Sequence, residues 1–169
     1  DGVWREDALL TLWAPHAIPA QKKWMDGIAI YTGPALGLDV VVARIGAIYG
    51  PLYRGVGSIP SLLVHAAHKH VAPDLAQARF GAAADDGYDH CYVKDCARAL
   101  ALLATTTTLS HRVYNVGTGR ASNNAHIADA VERLSSTPAV ALPPGGGPAS
   151  ALSIERSRVD TGYDPRFSL

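Results

Sequence analysis

Apolar positions along this 169-residue chain follow two rhythms. Trp24, Ile28 and Tyr31 recur at helical spacing, so a helix is expected from about Pro19 to Tyr31, with the proline in its first turn and Gly33-Pro34 ending it. Leu38 to Ala43, Leu-Asp-Val-Val-Val-Ala, is short and β-branched, which predicts a parallel-type strand buried on both faces. A glycine-containing loop follows, and Ser58 then caps a second helix, about Ile59 to His70, with Ile59, Leu62, Leu63, Ala66 and Ala67 as its apolar stripe. His90 to Val93 reads as a short strand, and Asp95 as the N-cap of a helix running to about Ala104. Arg112 to Val116 reads as another buried strand, with Gly117-Thr118-Gly119 as its exit turn. Ser122 or Asn123 caps a fourth helix carrying Ile127, Ala130, Val131 and Leu134, and Pro143 to Pro148 is a flexible loop.

Strand and helix alternate, so the class is α/β. Only two long strands are predicted, and parallel strands buried on both faces need neighbours. Either further strands come from elsewhere or the chain is part of a larger fold. At 169 residues it is treated as a single unit, 1–169, with no internal repeat. Its 48% hydrophobic content supports a core, and its zero formal net charge attracts neither nucleic acid nor an anionic membrane over long range. No apolar run is long enough to span a bilayer, and Asp1-Gly2-Val3-Trp4-Arg5 reads as mid-chain sequence. Cys91 and Cys96 make no disulfide framework. They read as small buried apolar side chains, which fits a reducing, cytoplasmic setting.

Candidate chemistry is sparse. His65 and His68 share a helical face, but His70 points away and no carboxylate or cysteine completes a metal site, so no metal is expected. A hydrolase elbow, Gly-x-Ser-x-Gly, is absent. Gly55-Val56-Gly57 follows a loop rather than a strand. Gly117-Thr118-Gly119 lacks a third glycine and an acidic residue at ribose spacing. Both read as turns, not dinucleotide cradles. Taken alone, Lys22-Lys23 is a solvated helix face.

Several segments, in order, change that picture. They are Glu6-Asp7 followed by Pro15; Lys22; Gly37 to Arg44 with Ile48-Tyr49-Gly50-Pro51; Asp89 to Leu100; Tyr114 to Gly119; and Ser157-Arg158 with Gly162-Tyr163-Asp164-Pro165. Together they resemble the second half of an extended short-chain dehydrogenase/reductase, the NAD-dependent epimerase/dehydratase family. The fold implied is an incomplete Rossmann-like parallel sheet plus the small substrate-binding portion. The dinucleotide-binding N-terminal half, with its glycine-rich turn and catalytic Ser/Thr, would precede Asp1.

In that family a tyrosine phenol moves a proton at the sugar hydroxyl while hydride passes to or from nicotinamide. A lysine four residues on, one helical turn away, lowers the phenol pKa and holds the nicotinamide ribose. The resemblance puts Lys22 at the lysine, whereas the tyrosine position is Ile18, which has no ionisable proton. His16 is the nearest titratable group and reads as a surface histidine. Ile45 and Ile48 match positions lining the nicotinamide pocket. Ala47 stands for the family's loop asparagine, and Tyr88 for the arginine that meets a nucleotide pyrophosphate. The resemblance therefore implies NAD or NADP as cofactor and a sugar-nucleotide-like substrate. It also implies a homodimer through the Pro19–Tyr31 helix. The expectation is a portion of an isomerase or oxidoreductase of this family, truncated and inactive as this chain alone. The alternative is a non-catalytic relative serving as a binding or oligomerisation module.

Overall fold

The computed structural model describes residues 2–11, 13–14, 17–79, 81–135 and 140–169; Pro15 and His16 lie outside the described residues. In chain order the elements are β1 (Val3–Trp4), α1 (Ala17–Ala35), β2 (Val42–Ile45), β3 (Ala47–Tyr49), α2 (Ile59–Lys69), a 3₁₀ turn (Leu75–Gln77), β4 (Gly87–Tyr92), α3 (Val93–Thr105), β5 (Val113–Val116), β6 (Ala121–Asn123), α4 (Asn124–Ser135), β7 (Ala151–Leu152) and α5 (Glu155–Thr161). The α/β alternation is as expected, although the strands are shorter and more numerous than the sequence predicts.

Among the described residues three small sheets form. β2 pairs with β5 in parallel, from Val42 opposite Val113 to Ile45 opposite Val116. β4 is central to the second sheet, parallel to β3 and antiparallel to β6. β1 and β7 pair in parallel. β5 is buried from Tyr114 to Val116, but β2 is only half-buried and Ile45 is exposed, contrary to the expectation of a strand covered on both faces. The reason is visible at its edge: among the described residues β2 has a strand partner on one side only. Its start also moves from Leu38 to Val42, because Leu38 is exposed and the exposed Asp39 forms an ion pair with Arg112.

Helix α1 runs past Gly33-Pro34 to Ala35. Gly33 is inside the helix for a packing reason: a Cβ there would stand 2.5 Å from Val40 Cγ2. The true stop is Gly37, at φ +72°, where the Gly37 amide donates to the Pro34 carbonyl and the Leu38 amide to the Gly33 carbonyl, a Schellman closure. Helix α2 begins as predicted, with Ser58 extended at the N-cap and a proline in the first turn, but the Ser58 side chain makes no capping bond. Asn123, by contrast, does cap α4: its Oδ1 accepts from the His126 amide. Leu134, placed on the apolar stripe of α4 by spacing, is exposed.

Two cores result. Ile59, Leu62 and Leu63 of α2 pack with Ile127 of α4. Cys91, Cys96, Ala99, Leu103, Tyr114, Val116, Ile154 and Tyr163 form the other, with both cysteines buried and free. Asp95 is not the N-cap of α3; Tyr92 is. Asp95 is buried in the first turn, where one carboxylate oxygen accepts from the Arg166 and Phe167 amides at 2.8 and 2.9 Å and the other from Arg98 at 3.1 Å.

Asp89 ties the pieces together. It is 3% exposed. Its carboxylate accepts from the Thr118 amide and hydroxyl, both at 2.7 Å, from the Gly119 amide at 2.9 Å and from the Leu152 amide at 3.1 Å. One side chain thus joins β4, the turn after β5, and β7. Truncation would leave these donors without an acceptor in a place water reaches poorly. Asp89→Ala is expected to cost about 3 kcal/mol of folding stability, measured as a lowered urea midpoint at unchanged slope.

Candidate functional site

The sharp turn after β2 starts the site. Gly46 passes so close to β4 that a Cβ there would lie 2.5 Å from the Asp89 carbonyl oxygen. Only glycine lets the chain cross from β2 to β3 at that point. The crossing carries Ile45, Ala47 and Ile48 onto the rim of a cavity of about 700 Å³, and β4 brings Tyr88 to the same wall. Four of the residues singled out from the sequence are therefore neighbours. Trp4, Tyr53 and Ile59 add apolar lining, while Asp86, Asp89, His90 and Asn124 supply polar groups.

Those carboxylates are already engaged. Asp89 holds the turn described above, and Asp86 accepts from the amides of Ala83 (3.1 Å) and Gly147 (3.0 Å). The loop 143–148, expected to be flexible, is tied down at the cavity by Asp86 and by amides of residues 84 and 85 donating to the Pro143 and Gly145 carbonyls. Among the described residues no lysine or arginine lines the cavity. Burial raises the Tyr88 phenol above its usual range, with Asp86 adding to the effect, so it stays protonated at neutral pH.

Lys22 and Ile18 are not brought to this cavity. Both are exposed on α1, one turn apart on the same face. The neighbouring lysine is the anchored one: Lys23 Nζ donates to the carbonyls of Thr11 at 2.7 Å and Trp13 at 2.9 Å. Arg44 fixes α1 to β2 through Asp26 at 2.7 Å, and donates to the Glu6 carbonyl at 2.9 Å.

The glycine turns behave as turns. The amides of Thr118 and Gly119 are spent on Asp89, and the Gly57 carbonyl accepts from the Arg79 amide. The turn after β5 therefore offers no set of free N–H groups to cradle a pyrophosphate. Among the described residues no group of three His, Cys, Asp or Glu side chains is placed to hold a metal ion, and no helix is long and apolar enough to cross a membrane.

One site residue was passed over in the sequence. His90 is 6% exposed, its Nε2 has no hydrogen-bond partner, and its ring stands edge-on to those of Tyr49 and Tyr88. The available signal was a histidine in an apolar strand, at the phenylalanine position of the stretch that Asp89 to Asp95 resembles. Burial pushes the imidazole below its usual 6.5, against a weaker upward pull from Asp89. A lowered folded value means the unfolded chain takes up this proton more readily. The stability held by neutral His90 is present above about pH 6.5 and is lost as pH falls through the folded value. Thermal melts from about pH 7.5 to 5 should fall less steeply in His90→Phe than in the wild type.

The cavity's composition and its position after a parallel strand acquire a context from known proteins. The chain is 29% identical, over 99% of its length, to a dTDP-glucose 4,6-dehydratase of Actinoplanes sp., of which it covers 46%. The fold matches UDP-glucuronic acid 4-epimerase from Bacillus cereus, solved with UDP-glucuronic acid and NAD, at a TM-score of 0.79 and 20% identity, over 99% of this chain and 52% of that one. It also matches the dTDP-glucose 4,6-dehydratase DesIV from Streptomyces venezuelae, solved with NAD, at a TM-score of 0.78 and 21% identity, over 100% of this chain and 51% of that one. The chain thus spans about half the length of these relatives, and it shares the Rossmann-type α/β fold of their corresponding portion. A model of the NAD dependent epimerase/dehydratase family matches residues 17–117, well over half of the chain. On that match, this chain belongs to the NAD-dependent epimerase/dehydratase family.

Proposed function

We propose that this chain is the substrate-side portion of an NAD(P)-dependent epimerase, dehydratase or reductase acting on a nucleotide sugar or related hydroxyl compound, and that it turns over no substrate by itself. The observation carrying this reading is the convergence of Ile45, Ala47, Ile48 and Tyr88 on one largely apolar cavity at the end of β2, a strand with a single partner among the described residues. A dinucleotide-binding half would add strands to β2 and bring a glycine-rich turn for the dinucleotide phosphates. Lys22 would then hold the nicotinamide ribose. Ile18 would leave the sugar hydroxyl without its proton carrier, a loss of about 10²–10⁴-fold in rate. The two free, buried thiols suit a reducing cytoplasmic setting.

The experiment joins this chain behind the N-terminal half of the Actinoplanes dehydratase and follows NADH fluorescence. The chimera is expected to bind NADH while the chain alone does not, and Lys22→Ala in the chimera is expected to weaken binding about tenfold. A folded chimera that binds no dinucleotide overturns the proposal.

A second reading has its own observation. Trp24, Met25, Ile28 and Tyr31 of α1 are all more than half exposed. An apolar helix face of this kind suits a homodimer or a non-catalytic oligomerisation module. Ile28→Glu with Tyr31→Glu should then halve the mass seen by sedimentation. An unchanged mass removes this role from α1.

A further inference from the structure

A second cavity, of about 600 Å³, has a different character. Arg120, Arg158 and Arg166 all line it, whereas no cation lines the first. Arg158 reaches Asp164 at 3.4 Å, an exposed pair. The guanidinium groups of Arg120 and Arg166 have no carboxylate partner among the described residues. Glu155 and Asp164 are the carboxylate side chains of the lining, against three arginines. The walls are held in place: Asp95 takes the Arg166 and Phe167 amides, Arg98 donates to the Asp164 carbonyl, and Asp89 takes the Thr118 and Gly119 amides. His90 lies in this wall too, and its buried Nε2 has no partner in the protein. His90 also lines the first cavity, so its ring is wall shared by the two.

We infer that this second cavity, framed by Arg120, Arg158, Arg166 and His90, binds a phosphate or diphosphate group. Guanidinium groups suit phosphate oxygens through paired, charge-assisted hydrogen bonds. An apolar ligand would strand the same groups. The anion-recognising capacity of this chain therefore lies apart from the cavity lined by Tyr88. This inference does not depend on the proposed function.

Calorimetric titration of the chain with inorganic pyrophosphate tests it, with no dinucleotide half present, so that failure here leaves the chimera experiment untouched. Saturable binding is expected, weakening with added salt. Arg120→Ala with Arg166→Ala, both exposed and outside the cores, should reduce affinity at least about tenfold, or ~1.4 kcal/mol. His90→Phe, which leaves all three arginines in place, should also reduce it. Tighter binding of uridine 5′-diphosphate than of pyrophosphate would assign the group to a nucleotide, and equal binding to a free anion. Absence of saturable heat, or equal affinity in wild type and the double arginine variant, overturns the inference. An unchanged His90→Phe overturns the part given to His90.

Discussion

A buried carboxylate must be fully paired or it destabilises the fold around it. Asp89 meets that demand by drawing in three backbone amides and a hydroxyl from segments distant in sequence. Much else follows from this one constraint. The turn after β5 is pulled against β4, close enough that Gly117 could carry no side chain: a Cβ there would lie 2.7 Å from Asp89 Oδ2. Its amides, used on Asp89, are no longer available to any phosphate. β7 is held against the same strand, and His90, the next residue, is locked into the wall between two cavities.

A second constraint comes from the parallel strand pair. Parallel strands gain their stability as members of covered sheets. Here β5 is buried from Tyr114 to Val116 and β2 has a strand partner on one side only among the described residues, while the adjoining helix α1 turns apolar side chains outward. Family membership and coverage of about half of each relative give these surfaces a common physical meaning. They are the kind of edge and face that further strands and helices would bury.

The two cavities divide the chemistry between them. The first is largely apolar, has its carboxylates committed to backbone amides, and among the described residues is lined by no lysine or arginine. The second is polar and lined by arginines. His90 borders both, and burial keeps it uncharged at neutral pH. An uncharged imidazole can give or accept one hydrogen bond on either side without adding to the electrostatic contrast.

Much of the architecture was legible because it is local. The stripe of Ile59, Leu62 and Leu63, a cap at Ser122 or Asn123, the strand ending in Val116 and the glycine turn after it follow from periodicity and backbone chemistry within a few residues. The order of the segments from Glu6 to Pro165 also carried the family, and it singled out Ile45, Ala47, Ile48 and Tyr88. What could not be read locally was set by distant partners. Asp95 looked like a cap until the 166–167 backbone arrived to claim its carboxylate. Gly33 looked like a stop until Val40 packed against it, leaving Gly37 to end the helix. His90 looked like one residue of an apolar strand until the fold buried its ring and left Nε2 unpaired. The sequence by itself determined which helices and strands could form and which family they belong to, because propensity and motif order reside in neighbouring residues. Only the tertiary structure decided which polar groups are satisfied and which are left facing a cavity, because a hydrogen-bond partner is chosen by proximity in space.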